Sequence, residues 1–84
     1  MMIYLIFSQE GLAEAKESIL ADKATLWINA DFLSEEQLAE LKQENINIQL
    51  FSEFVDGGNE KSILQALKPI EEKEPKAEIL IEYL

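Results

Sequence analysis

The sequence predicts a small α/β sandwich, and three observations lead to this fold class. Four short apolar segments alternate along the chain with three segments of helical periodicity, which gives the order β-α-β-α-β-α-β. The connections are short, so we expect a mainly parallel sheet. The chain has 84 residues, 48% of them hydrophobic, which suffices for a single domain, 1–84. We therefore predict a three-layer, Rossmann-like sandwich with four strands.

The first predicted strand and helix have clear signals. Residues 3–7 are continuously apolar, as expected for a strand that is covered on both faces and lies inside the sheet. Apolar residues then recur at helical spacing over 11–22, and Ser8 is placed to be the N-cap of this helix.

The second strand, residues 25–30, alternates in polarity. Trp27 and Asn29 fall on the face opposite Leu26 and Ile28. If helices cover the Trp27 face incompletely, this large ring is left to line a groove or to contact a partner. Trp27 is therefore a candidate interface residue.

The segment DFLSEEQLAEL, residues 31–41, is rich in acids but is typical of the start of a helix. Ser34 and Gln37 have the spacing of a capping box. Glu35 and Glu36 then lie in the first helical turn, where negative charge interacts favourably with the helix dipole. Asn45 is expected to end this helix in the left-handed conformation.

The second half of the chain predicts a strand at 46–51, a helix from Asn59 and a strand at 77–83. Pro69 should end the third helix or kink its last turn. The residues expected to be buried by this helix are Ile63, Leu64, Leu67 and Ile70.

The polar residues Asn47 and Gln49 place the third strand at a sheet edge, which favours the strand order 3-2-1-4 over the alternative 2-1-3-4. A two-layer sheet with every helix on one face stays open, because strands two, three and four all alternate in polarity.

Composition excludes several classes of function. The chain contains neither Cys nor His, and its seven basic residues are all Lys. Disulfides, thiol chemistry, histidine catalysis and the usual zinc sites are therefore excluded. A net charge of −10 opposes binding to nucleic acids and anionic membranes. No apolar run has the length of a membrane span, so we expect a cytoplasmic protein.

Polar side chains are expected at the carboxyl ends of the strands, where parallel sheets usually bind ligands. These candidates are Ser8, Glu10, Asn29, Asp31, Glu53 and Asp56. One hypothesis is that the acids among them bind Mg²⁺ in a phosphate-processing or nucleotide-binding domain. However, each acid also has a local role in a turn or a first helical turn, so we predict no metal and no cofactor. The sequence DGG at 56–58 predicts a turn that needs positive φ.

The favoured hypothesis is a non-catalytic protein-interaction or regulatory module, because the composition leaves few catalytic routes and the charge favours a basic protein partner. The last strand would be a sheet edge in either strand order, and unpaired edges promote self-association. We therefore also expect a homodimer. Its candidate interface residues, besides Trp27, are Ile79, Ile81 and Tyr83.

Overall fold

The computed structural model describes residues 1–82, which form four strands and three α-helices in the predicted order. The elements are β1 (Met2–Ile6), α1 (Gln9–Asp22), β2 (Thr25–Ile28), a short 3₁₀ turn (Ala30–Phe32), α2 (Glu35–Gln43), β3 (Asn47–Leu50), α3 (Glu60–Lys73) and β4 (Glu78–Ile81). All neighbouring strands are parallel, and their order is β3-β2-β1-β4. The preferred strand order is therefore confirmed, and the alternative order is wrong.

The helices cover both faces of the sheet. On one face, Tyr4 and Ile6 of β1 share a buried cluster with residues of α1 and α2. On the other face, Ile3 and Leu5 share a second buried cluster with Ile63 and Ile70 of α3. The fold is thus a three-layer α/β sandwich with β1 buried on both sides, and the two-layer alternative is wrong.

Local helix signals that are visible in the sequence are present in the structure. The Gly11 N–H donates to Ser8 Oγ at 2.9 Å, so Ser8 caps α1. Both hydrogen bonds of the predicted capping box at Ser34 and Gln37 are formed at the start of α2. Asn45, just beyond α2, has a φ of 64°, as expected for a left-handed residue that ends a helix.

Helix α3 differs from the prediction in part. It continues through Pro69 to Lys73, so of the two outcomes expected for the proline, an end of the helix or a kink in its last turn, the end is wrong. Pro69 is exposed, which leaves room for its ring on the solvent side of the helix. Leu64 was expected to be buried but is 55% exposed. Ile63 and Ile70 occupy the side of α3 that packs on the sheet, and Leu64 is turned about 100° away from Ile63.

Candidate functional site: an aromatic groove beside α3

Aromatic side chains from three neighbouring strands meet near the carboxyl ends of those strands. Phe7 follows β1, Trp27 lies in β2 and Phe51 follows β3. The ring centroids of Phe7 and Phe51 are 5.8 Å apart, and those of Trp27 and Phe51 are 5.6 Å apart. In the adjoining loops, Phe32 and Phe54 pair at 6.2 Å. These separations are typical of favourable aromatic pairs.

A groove opens beside this cluster because α3 covers only part of its face of the sheet. Ile63 and Ile70 of α3 pack over Ile3 and Leu5 of β1, and Trp27 of β2 borders this buried cluster and is half-buried. We call the resulting depression the aromatic groove. It is formed by Trp27, Phe51 and Phe54 on one side and by the flank of α3 that carries Ser62, Gln65, Ala66, Pro69 and Lys73 on the other. Its volume is about 410 Å³.

The groove continues towards the amino ends of the strands. A second depression of about 60 Å³ shares Trp27 and Lys73 with the groove and reaches Thr25, Asn47 and Gln49. The two depressions together follow the strip formed by β2 and β3. Trp27, the single tryptophan of the chain, borders both depressions.

The mouth of the groove combines exposed apolar groups with a few charges. Leu50 is 50% exposed and Phe54 is 63% exposed, although both are large and apolar. Glu53 and Lys73 line the groove, and Glu74 lines its extension. Large apolar side chains that remain in contact with water around a concave surface are typical of binding sites.

Asn29, predicted to lie at the ligand-binding edge, is used to hold the fold together. It is only 3% exposed. Its Nδ2 donates to the Val55 carbonyl oxygen, and the Val55 N–H donates to its Oδ1, both at 2.9 Å. This pair of hydrogen bonds ties the end of β2 to the loop after β3, and the Asn29 side chain is too buried to present its amide to a ligand.

Ser8 is held by a contact that the sequence analysis missed. Its hydroxyl donates to Glu82 Oε2 at 2.6 Å, and the Phe7 N–H donates to Glu82 Oε1 at 2.7 Å. A Cβ added to Gly11 would lie 2.0 Å from Glu82 Oε2, so only glycine leaves room for this carboxylate. Glu82 thereby places its charge at the N-terminus of α1, a favourable position for an anion.

This contact occupies the place in the sheet where a ligand would be expected. The strand order reverses between β1 and β4, and ligands of open parallel sheets usually bind at such a point. Here the Glu82 carboxylate lies between the end of β4 and the start of α1. Two features of the sequence could have indicated the Glu82 contact. One is Gly11 in the first turn of α1, and the other is an acid at the end of a strand predicted to lie next to β1.

Asp56 also has a local role. Its Oδ1 accepts from the Gly58 N–H at 2.9 Å, and its own N–H donates to Ser62 Oγ at 3.0 Å. Neither Gly57 nor Gly58 has a positive φ, so the expected turn conformation was wrong. The Asp56 side chain instead stabilises the turn by accepting from the backbone two residues later.

The remaining predicted acids of this edge, Glu10, Asp31 and Glu53, are exposed. Within residues 1–82, no three Asp or Glu side chains come together in a group that could hold a metal ion. The groups that do converge at this end of the sheet are aromatic.

Two of the predicted interface residues, Ile79 and Ile81, lie in β4 on the same face of the sheet. Ile79 and Ile81 are half-buried against the α3 cluster, whereas Leu80 points to the opposite face and is 45% exposed. Within the described residues β4 pairs with β1 alone, so its outer edge is free. Tyr83 lies outside the described residues.

Tyr4 is the buried titratable group on the face covered by α1. Its hydroxyl donates to Asp22 Oδ2 at 3.0 Å. Burial is the main cause that raises the pKa of the Tyr4 phenol above its usual value of 10.0, and the hydrogen bond to Asp22 adds to the effect. The pair joins β1 to the last turn of α1 on the face opposite the aromatic groove.

Comparisons with protein families, characterised proteins and solved structures found no match. In residues 1–82, none of α1, α2 and α3 is both long and apolar enough to cross a membrane.

Proposed function

We propose that this protein is a non-catalytic protein-interaction module that binds a basic partner through the aromatic groove. The observation that carries the proposal is the open groove in which Trp27, Phe51 and the exposed Phe54 line one side and α3 the other. Aromatic residues in a partly desolvated depression are the usual anchors of protein interfaces. A cytoplasmic location, as expected from the sequence, is part of this proposal.

The composition and the local contacts support binding over catalysis. Without His or Cys, the chain lacks the side chains that most often act as a general base or as a nucleophile near neutral pH. Asn29 and Ser8, the polar residues that lie closest to the ends of β2 and β1, are engaged in hydrogen bonds within the fold.

The charge of the chain supports a basic partner. A net charge of −10 attracts cationic surfaces over roughly 10 Å at 0.1 M salt and over a shorter range as salt increases. Such steering raises association rates and disfavours acidic competitors. We therefore expect binding that weakens as the salt concentration rises.

The size of the expected effect follows from Phe54. Full burial of a Phe side chain stabilises a complex by about 1.5–3 kcal/mol. Phe54 is 63% exposed in the free protein, so burial of the rest contributes about 1–2 kcal/mol, or about tenfold in Kd. Phe54→Ser should weaken binding by this factor, and loss of the ring pair with Phe32 should cost about 0.5–1.5 kcal/mol of folding stability.

The test uses affinity purification from cells that express the protein, with three baits. Wild type is compared with Phe54→Ser and with Leu64→Ser, a matched control because Leu64 is 55% exposed on α3 but does not line the groove. We expect a basic partner that wild type and Leu64→Ser retain, that Phe54→Ser loses, and that high salt releases. A partner set that is unchanged by Phe54→Ser would contradict the proposal.

A further inference from the structure

We infer that the groove binds an amphipathic α-helix of the partner that lies alongside α3, over β2 and β3, and carries Lys or Arg beside its apolar face. This inference rests on the proposed function and specifies the partner of the same site.

The width of the uncovered strip matches one helix. Strands in a sheet are about 4.8 Å apart, and a helix with its side chains is about 10–12 Å across, so one helix covers roughly two strands. On the opposite face, α1 and α2 together contribute to the buried cluster that covers the sheet. On this face the buried residues of α3 pack over β1, and the two depressions open over β2 and β3, where Trp27 and Phe51 border the buried cluster and stay partly exposed.

The length of the strip and its wall are also suited to a helix. Residues 47–51 at about 3.3 Å each extend about 16 Å, which equals about three turns of helix. The groove side of α3 presents the short side chains of Ser62, Ala66 and Pro69 along one stripe, with the longer Gln65 beside it and Lys73 at its end. Because helices pack at interaxial distances of about 8–10 Å, short side chains at the contact permit the closest approach.

Strand addition would not cover the same surface. The outer edge of β3 is free within the described residues, so an extended segment could pair with it. Such a strand would lie in the plane of the sheet about 4.8 Å beyond β3. It would leave Trp27 uncovered, since Trp27 is one strand further in, on β2. A helix placed on the face of the sheet buries Trp27, Phe51 and Phe54 together.

Charge selects a basic helix over a second copy of the chain. Two copies bring together two net charges of −10, which oppose each other. The groove and its extension are lined by Glu53 and Glu74 against the single Lys73. A helix with Lys or Arg on its flanks can approach these acids while its apolar side chains contact the aromatic rings.

The test is a selection from a random library of 18-residue peptides displayed against the full-length wild-type protein at low salt. The enriched peptides are then synthesised and titrated against wild type, Phe54→Ser and Leu64→Ser, with the fluorescence of Trp27 as the readout of groove occupancy. For each peptide, a version with every Lys and Arg replaced by Glu serves as the charge control.

We expect enriched peptides with apolar residues at i, i+3, i+4 and i+7 and a net positive charge. Their binding should shift Trp27 emission, weaken about tenfold or more with Phe54→Ser and with charge reversal, and change little with Leu64→Ser. Peptides that depend on Phe54 but alternate apolar and polar residues, or that carry no positive charge, would overturn the inferred basic helix and leave the groove as a protein-binding site. Selection of no peptide that depends on Phe54 would overturn both proposals.

Discussion

The contact between Gly11 and Glu82 predicts that Gly11→Ala destabilises the wild-type protein but stabilises a variant in which Glu82 is already replaced by Ala. In wild type, Gly11→Ala places a methyl group 2.0 Å from Glu82 Oε2 and must displace the carboxylate. Displacement breaks the hydrogen bonds that Phe7 N–H and the Ser8 hydroxyl donate to it. Once Glu82 is replaced by Ala, the three atoms nearest to the added methyl group are gone.

The magnitudes follow from the two bonds and from helix propensity. Hydrogen bonds to charged groups contribute about 1.5–3 kcal/mol each. Glu82 is half-buried, so we take the low end and expect Glu82→Ala to cost about 3 kcal/mol. Ala is preferred over Gly in a helix by about 0.5–1 kcal/mol. Gly11→Ala should therefore destabilise wild type by about 2 kcal/mol but stabilise the Glu82→Ala variant by about 0.5–1 kcal/mol.

The assay is equilibrium unfolding in urea, followed by Trp27 fluorescence, of wild type, both single variants and the double variant. The expected coupling energy in this double-mutant cycle is about 3 kcal/mol. Glu78→Ala is the matched control, because Glu78 is an exposed acid at the other end of β4 and should be additive with Gly11→Ala. Equal effects of Gly11→Ala in both backgrounds would refute the reasoning.

Three further predictions test other parts of the structure. Asn29→Ala should cost about 2–3 kcal/mol in urea unfolding because it leaves two buried backbone groups without partners, whereas the exposed Asn47→Ala should cost under about 0.5 kcal/mol. Because the folded-state pKa of Tyr4 is raised above 10.0, its protonated phenol contributes folding stability that is fully present below pH 10 and is lost as pH rises through the folded-state pKa. Over that pH range, wild type should therefore lose more stability than Tyr4→Phe. Dimerisation through the edge of β4 should increase with salt in light scattering and be blocked by Leu80→Lys; a monomer at every salt concentration would contradict it.

Features of the fold that depend on local pattern could be predicted from the sequence. The continuous apolar run of β1 was enough to place this strand inside the sheet. The polar Asn47 and Gln49 were enough to place β3 at the edge. The caps at Ser8 and Ser34 could be predicted because each partner lies three residues along the chain. Such short-range geometry is the same in every helix.

The contacts that hold the candidate site could not be predicted in this way. Ser8 and Glu82 are 74 residues apart, and Asn29 and Val55 are 26 residues apart, so no spacing in the sequence marks either pair. The aromatic cluster could have been predicted from the sequence, because rings near the ends of three neighbouring strands must meet once the strand order is known. Trp27 was predicted to line a groove or to contact a partner, whereas the residues predicted for the ligand-binding edge were all polar.

The arrangement of polarity along the groove also predicts a direction for the proposed partner helix. Near the carboxyl ends of the strands the groove offers Phe51 and Phe54, whereas its extension near the amino ends offers Thr25, Asn47 and Gln49. Gln49 donates to Asn47, and Asn47 donates to Thr25, so these amides keep their mutual hydrogen bonds. Apolar side chains that bind over them would remove water from the remaining N–H and C=O sites, at a cost of about 1–3 kcal/mol for each site left unpaired. The apolar anchors of the partner should therefore cluster at one end of its helix, with polar residues at the end that lies over Asn47. Exchange of these two halves within a selected peptide should abolish the Trp27 signal, and equal binding by both versions would show that the groove does not distinguish its ends.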